Sequence, residues 1–160
     1  MQPKGEASAS PFGTSDTRNY PLMSSPLTAL VQVRTYELDS FGHVNNSVYL
    51  NYMEEARSEF LKQMGVSFLD FARHEVQLVI VESYVKYIRP ARYGDQITIT
   101  GKIRGVSPVA AYIDYVLTET TTGRLIATAW TRSAFVNDST GKPTRAPEEF
   151  QTAFRAFSQP

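Results

Sequence analysis

The period of apolar residues changes several times along the chain, and each change marks an element. From Thr28 to Glu37 the β-branched residues Val31, Val33 and Thr35 recur at every second position, as in a strand. A polar segment with one glycine and two asparagines, Asp39 to Asn46, interrupts this pattern and reads as a loop. Apolar residues then fall at Tyr49, Met53, Ala56, Phe60 and Met64, with Val48 and Tyr52 beside them. Steps of three and four residues place them on one face of a helix of about four turns. Asn45 or Asn46 is placed to cap that helix and Gly65 to stop it. Glu55, Ser58, Glu59 and Lys62 largely fill its opposite side, and Glu54–Arg57 and Glu59–Lys62 have the spacing of surface ion pairs.

Val66 to Glu75 reads as a connection with room for a helical turn, and four strands follow. Val76 to Arg89 contains the run Leu78-Val79-Ile80-Val81, which predicts burial on both faces for its first half. The alternation resets at Glu82-Ser83, as at a bulge. Arg89 to Asp95 is a turn, and Gln96 to Arg104 alternates cleanly with Ile97, Ile99 and Ile103 on one side. Val109 to Thr120 and Arg124 to Val136 are two more strands, joined at Thr121-Thr122-Gly123. Pro147 opens a short helix carrying Phe150, Phe154 and Phe157. The order strand, helix, four strands predicts an α+β domain with an antiparallel sheet. One helix cannot cover five strands, so a second copy of the chain is the expected partner for the open edges.

Composition narrows the class. A chain of 160 residues is one domain by its length, with residues 29–147 as the folded part and residues 148–160 as a short helix and tail. Residues 1–28 are rich in Ser, Pro, Thr and Gly and read as a disordered extension. They lack the apolar stretch of a secretory signal, and Glu6 and Asp16 count against a transit peptide. A cytoplasmic location is the expectation, with an organelle address as the alternative. Sixteen basic and sixteen acidic residues balance, which leaves no electrostatic footprint for nucleic acid. There is no cysteine, so thiolate chemistry and Cys-ligated metals are excluded. No run reaches the roughly 20 apolar residues of a membrane span.

Candidate chemistry concentrates in the loop before the long helix. Asp39 precedes a helix N-terminus, where unpaired N–H groups and the positive end of the dipole can hold an oxyanion. A carboxylate beside such donors can attack a carbonyl or take a proton from water. Asp39 can equally be a turn residue, and His43 a base, a donor or a packed loop residue. Glu54, Glu55 and Glu59 read as surface, and His74 as a solvated loop residue. No metal-ligand spacing, Gly-x-Ser-x-Gly elbow, dinucleotide fingerprint or P-loop occurs.

The segment Val33-Arg34-Thr35-Tyr36-Glu37-Leu38-Asp39-Ser40-Phe41-Gly42-His43-Val44-Asn45-Asn46-Ser47-Val48-Tyr49 resembles the signature of 4-hydroxybenzoyl-CoA thioesterase-like hot-dog proteins. Its Asp-x-x-Gly-His-Val-Asn-Asn-x-x-Tyr form is similar to the long-chain acyl-CoA and plant acyl-lipid thioesterase branches. Arg89-Pro90-Ala91-Arg92-Tyr93-Gly94-Asp95 resembles the family's strand-ending turn. The resemblance implies a hot-dog fold, a five-stranded antiparallel sheet wrapped around one long central helix. It implies hydrolysis of an acyl-CoA or acyl-carrier-protein thioester, in fatty-acid or polyketide metabolism, without a metal or cofactor. Asp39 falls on the catalytic aspartate and Asn46 on the position whose backbone N–H polarises the thioester carbonyl. His43, Asn45 and Tyr49 fall on site-lining positions. Arg89, Arg92, Lys86 and Arg104 are the basic residues available for CoA phosphates. Dimers that pair into tetramers are implied as well. Plant acyl-carrier-protein enzymes that use residues of a second hot-dog repeat are not matched in that respect, because this chain shows one repeat. A hot-dog hydratase using Asp39 and His43, and a non-catalytic acyl-binding module, are the alternatives.

Overall fold

The computed structural model describes residues 26–158. The expected disordered extension lies outside them, except that its last residues, Leu27 and Thr28, already belong to the sheet. Strand β1 (Leu27–Gln32) is followed by a 3-10 turn (Thr35–Glu37), so the predicted first strand ends early. Helices α1 (Val48–Gln63) and α2 (Phe68–Arg73) come next. Strands β2 (Val76–Tyr87), β3 (Gln96–Val106), β4 (Ala110–Glu119) and β5 (Leu125–Asn137) precede helix α3 (Glu148–Ala156). The five strands form one antiparallel sheet in the order β1-β3-β4-β5-β2.

The core lies between the inward sheet face and α1. Tyr49, Tyr52, Met53, Ala56, Phe60 and Leu61 of α1, with Met64 just after it, share one core with Ile97, Ile99, Ile103, Ile113, Tyr115 and Leu117 of the sheet. The helix lies over β1 and β3. Gly101 makes this seat possible, because its missing side chain is where the Phe60 ring rests. At the C-terminal end of α1, the Gln63 amide donates to the Thr28 carbonyl at 2.6 Å and accepts from the Thr28 N–H at 3.1 Å. The helix stops as expected at Gly65, at φ 75°. Gly65 N–H donates to Lys62 and Val66 N–H to Leu61, which satisfies two terminal carbonyls.

Two expectations need correction. The run Leu78 to Val81 is not buried on both faces: β2 is an edge strand, and Ile80 and Val81 are exposed. Its inward face is covered only in part, with Val76, Leu78 and Val85 on the core, because α1 sits toward the opposite edge of the sheet. The bulge falls between Ile80 and Glu82, one residue before the reset in the pattern. His74 is exposed, as expected, in the turn that ends α2; its Nε2 is 2.6 Å from Glu149 and its ring meets Phe150 edge-on. That contact ties α3 to α2, and Phe71 packs on Phe150 beneath it.

Candidate active site

The segment Leu38 to Val44 is a tight reversal closed by a bridge between its ends. Asp39 N–H donates to the His43 carbonyl at 2.7 Å, and Gly42 N–H to the Asp39 carbonyl at 3.1 Å. Gly42 has φ 73°, a conformation a side chain strains. One carboxylate oxygen of Asp39, Oδ1, accepts from Phe41 N–H at 2.8 Å and His43 N–H at 3.2 Å. The turn role weighed for this residue is therefore real, and it uses only one of two oxygens. Among the described residues, Oδ2 has no hydrogen-bond partner.

His43 meets Asp39 through its main chain, and its half-buried imidazole has no hydrogen-bond partner among the described residues. The two side chains do not form the acid–base pair that a hydratase reading requires. Phe41, at 82% exposure, projects from the tip of the loop.

The loop is held against the helix start by three sets of bonds. Val44 N–H donates to the Ala91 carbonyl at 2.9 Å, joining it to the turn that carries Arg89 and Arg92. Asn45 N–H donates to the Glu37 carbonyl at 2.9 Å. The Glu37 carboxylate is buried and accepts from the Tyr52 hydroxyl and the Arg34 N–H, each at 2.7 Å. Burial first, then the bond to Glu37, pushes the Tyr52 hydroxyl far above its ordinary pKa. Tyr52 therefore stays a donor, and Glu37–Tyr52 clamps the strand leading to Asp39 onto α1.

Asn45 and Asn46 divide the work at the helix start. Asn45 Oδ1 accepts from Ser47 N–H at 3.0 Å and from the Ser47 hydroxyl at 2.9 Å, and its carbonyl takes Val48 N–H. Asn45 thus caps the entering turn, whereas Ser47, the residue adjoining α1, makes no side-chain cap. The Asn46 carbonyl accepts from the Tyr87 hydroxyl at 2.9 Å. No acceptor among the described residues takes the Asn46 N–H. A free donor at the positive end of a 16-residue helix thus follows the Asp39 loop.

Tyr49 is buried, with its hydroxyl accepting from Ala91 N–H at 3.4 Å and its ring edge-on to Tyr87. It anchors the loop and the turn rather than opening onto solvent. Arg89 and Arg92 are exposed on that turn, which Arg124 pins through Pro90 and Asp95. Lys86 is exposed near the end of β2. Arg104 lies elsewhere: it pairs with Asp114 and covers Trp130 on the outward sheet face. Among the described residues no cluster of His, Asp or Glu suits a metal, and no helix is long and apolar enough to cross a membrane.

Glu37 escaped the sequence reading because the 3-10 turn after β1, not strand alternation, carries it inward; Thr35, in phase with Val31 and Val33, is exposed.

A family model described as the thioesterase-like superfamily matches residues 33–154. A chloroplastic acyl-acyl carrier protein thioesterase of Arabidopsis thaliana is 34% identical over 127 residues, covering 79% of this chain. The chain spans 66% of that relative's length. A long-chain acyl-CoA thioesterase of Escherichia coli is 34% identical over 99 residues, 62% of this chain and 74% of its own. A hypothetical protein from Thermus thermophilus superposes with a TM-score of 0.76 at 27% identity, over 81% of this chain and 98% of that one. A 1,4-dihydroxy-2-naphthoyl-CoA thioesterase from Synechocystis shares the fold, with a TM-score of 0.75 at 23% identity over 85% of this chain and 100% of that one. The hot-dog arrangement of sheet and helix and a match from residue 33 to residue 154 agree, and the chain belongs to the thioesterase-like superfamily.

Proposed function

We propose that this protein hydrolyses an acyl thioester, carried by CoA or by an acyl carrier protein, to a free acid and a thiol. The observation that carries the reading is the pairing of an uncommitted Asp39 oxygen with an uncommitted Asn46 N–H at the start of α1. The thioester carbonyl accepts from Asn46 N–H, and the helix dipole stabilises the negative charge that develops on its oxygen. Asp39 Oδ2 takes a proton from water as that water attacks the carbonyl carbon. The C–S bond then breaks, and the thiolate leaves with a proton. In the other route Oδ2 itself attacks, and water hydrolyses the resulting anhydride. Single turnover in ¹⁸O-water separates the two, because only the anhydride route can place the label in Asp39.

Supporting roles follow from position. Asn45 and Tyr49 hold the site without touching the reacting bond, and His43 lines it. Arg89 and Arg92 stand where the phosphates of CoA or of a carrier's phosphopantetheine arrive. The names of the plant and bacterial relatives support both carriers.

The open ladder of the edge strand β2 supports assembly into homodimers, with tetramers by pairing of dimers. Sedimentation of the purified chain reads that mass; a monomer removes this part of the proposal.

The decisive experiment uses Asp39→Asn protein, a panel of acyl-CoAs and acyl-carrier-protein thioesters, and a thiol reagent. Loss of a positioned base or nucleophile lowers kcat by about 100- to 10,000-fold. Turnover equal to wild type removes Asp39 from the mechanism.

A further inference from the structure

Helix α1 carries a charge that its sequence pattern assigns to the surface and the fold buries. Arg57 is 6% exposed. Its guanidinium meets the Glu54 carboxylate and lies 3.5 Å from the Tyr115 hydroxyl. The Glu54 side chain is 64% exposed, so water screens that ion pair. A contact of 3.5 Å is the outer limit of a hydrogen bond. A buried guanidinium has five N–H donors in a fixed fork, and these partners leave several unused.

The surroundings are polar in the same unfinished way. The Tyr115 hydroxyl is 3.1 Å from Thr131 Oγ1. Two residues along the inward face of β5, Ser133 Oγ is buried with no partner among the described residues. Leu61, Phe68, Phe71, Val76 and Leu78 line, with Arg57, a cavity of about 410 Å³.

This cavity lies at the Val76 end of β2, and the segment after the Asp39 loop meets the Tyr87 end. Between them α1 leaves part of the inward face of β2 uncovered, with Ile80, Ser83 and Tyr87 exposed along it and Val85 packed on the core. The Tyr87 hydroxyl bonds to the Asn46 carbonyl. From Val48 to Arg57 the helix advances about 14 Å, at ~1.5 Å per residue, and the turn from Asn46 to Val48 brings the span to about 16 Å. An extended carbon chain with bonds of ~1.52 Å advances about 1.3 Å per bond, so roughly a dozen bonds cover that distance.

We infer that Arg57 is a specificity-determining residue for long acyl chains that carry an acceptor oxygen (hydroxyl, carbonyl or carboxylate) near the distal end. The inference rests on the thioesterase reading and sets the acyl class within it. A plain hydrocarbon would seal what remains open of Arg57 from water while offering it nothing, an uncompensated desolvation. An oxygen about a dozen bonds from the thioester carbonyl accepts from the guanidinium instead. When that oxygen belongs to a carboxylate, it replaces Glu54, whose exposed side chain turns into water.

The test compares tetradecanoyl-CoA with its ω-hydroxy, ω-oxo and ω-carboxy analogues, read as kcat/KM. Wild-type protein favours at least one oxygenated chain by about tenfold or more, and the ranking identifies the oxygen. In Arg57→Met the ratio falls to about one, whatever the absolute rate. In Glu54→Gln, at an exposed position, the preference for the carboxylate rises. Equal or faster hydrolysis of the plain chain by wild-type protein overturns the inference, with no variant needed. So does a preference that survives in Arg57→Met, or a variant whose loss of preference accompanies a change of oligomeric mass, which would assign Arg57 to a subunit contact. Failure to hydrolyse any thioester sinks the hydrolase reading alone. Calorimetric binding of ω-hydroxytetradecanoate against tetradecanoate then still reads Arg57, and equal affinities overturn its role.

Discussion

Replacing Gly101 by alanine tests how α1 is seated, and through it how the helix start meets Asp39. An added Cβ would lie 2.1 Å from Phe60 Cε2 and 2.6 Å from Cζ. Phe60 is fully buried and stacked on Tyr115 with ring centroids 6.0 Å apart, so its ring has nowhere to retreat. Ordinary carbon contact needs about 3.5–4.0 Å, so helix and sheet must separate or the ring must leave its rotamer. Overpacking of this kind costs ~1–3 kcal/mol. Alanine restores about 0.5–1 kcal/mol through its smaller entropy loss in a strand. The net destabilisation is then centred on ~1 kcal/mol and reaches at most ~2.5 kcal/mol, or a Tm lower by up to roughly 10 °C for a domain of this size. Urea unfolding followed by circular dichroism measures it. The double variant with Phe60→Leu supplies the control, because the smaller side chain vacates the space the methyl needs. A coupling of at least ~1 kcal/mol is expected between the two positions. A Gly101→Ala protein as stable as wild type, or strictly additive changes, would refute the close approach.

Two further outcomes follow from the polar clasps. Tyr52→Phe leaves the buried Glu37 carboxylate short of one donor and destabilises by about 1–3 kcal/mol; kcat falls with it because Glu37 leads directly into the Asp39 loop. Since the folded-state pKa of Tyr52 is raised, the wild-type clasp is intact below ~10, the unfolded tyrosine value, and is lost as pH rises beyond it. An alkaline unfolding limb as steep in Tyr52→Phe as in wild type contradicts this. Glu119 is held at about 2, first by the Thr122 hydroxyl and then by the Thr121 and Thr122 N–H groups in the β4–β5 turn. Its contribution is present above the unfolded value of ~4.3 and is lost as pH falls toward about 2. Glu119→Gln should flatten the acid limb of stability against pH, and an unchanged slope rules out this origin.

The long helix was legible in the sequence because its apolar period reports burial directly. Tyr49, Met53, Ala56, Phe60 and Met64 are all buried. The Asp39 loop was legible for a related reason: the bonds that Asp39 itself makes run between residues two to four apart, so residue types at short spacing specify them. Strand β2 misled the reading because an apolar run signals contact without naming the partner. In one chain the edge of the sheet supplies none. Arg57 misled it in the opposite direction. Its spacing to Glu54 predicted their pairing correctly, yet spacing along a helix says nothing of what crosses over from β4.

The sequence by itself thus determined the element types, their order and the reversal that presents Asp39 before a helix. These depend on local dihedral preference and on patterns a few residues long. Only the tertiary structure decided which charges went inside. Glu37 meets Tyr52 across fifteen positions and Arg57 meets Tyr115 across fifty-eight. It also decided that α1 sits over β1 and β3, leaving Ile80 and Tyr87 of β2 exposed. Such outcomes depend on how faces of distant elements fit, a property that no local period encodes.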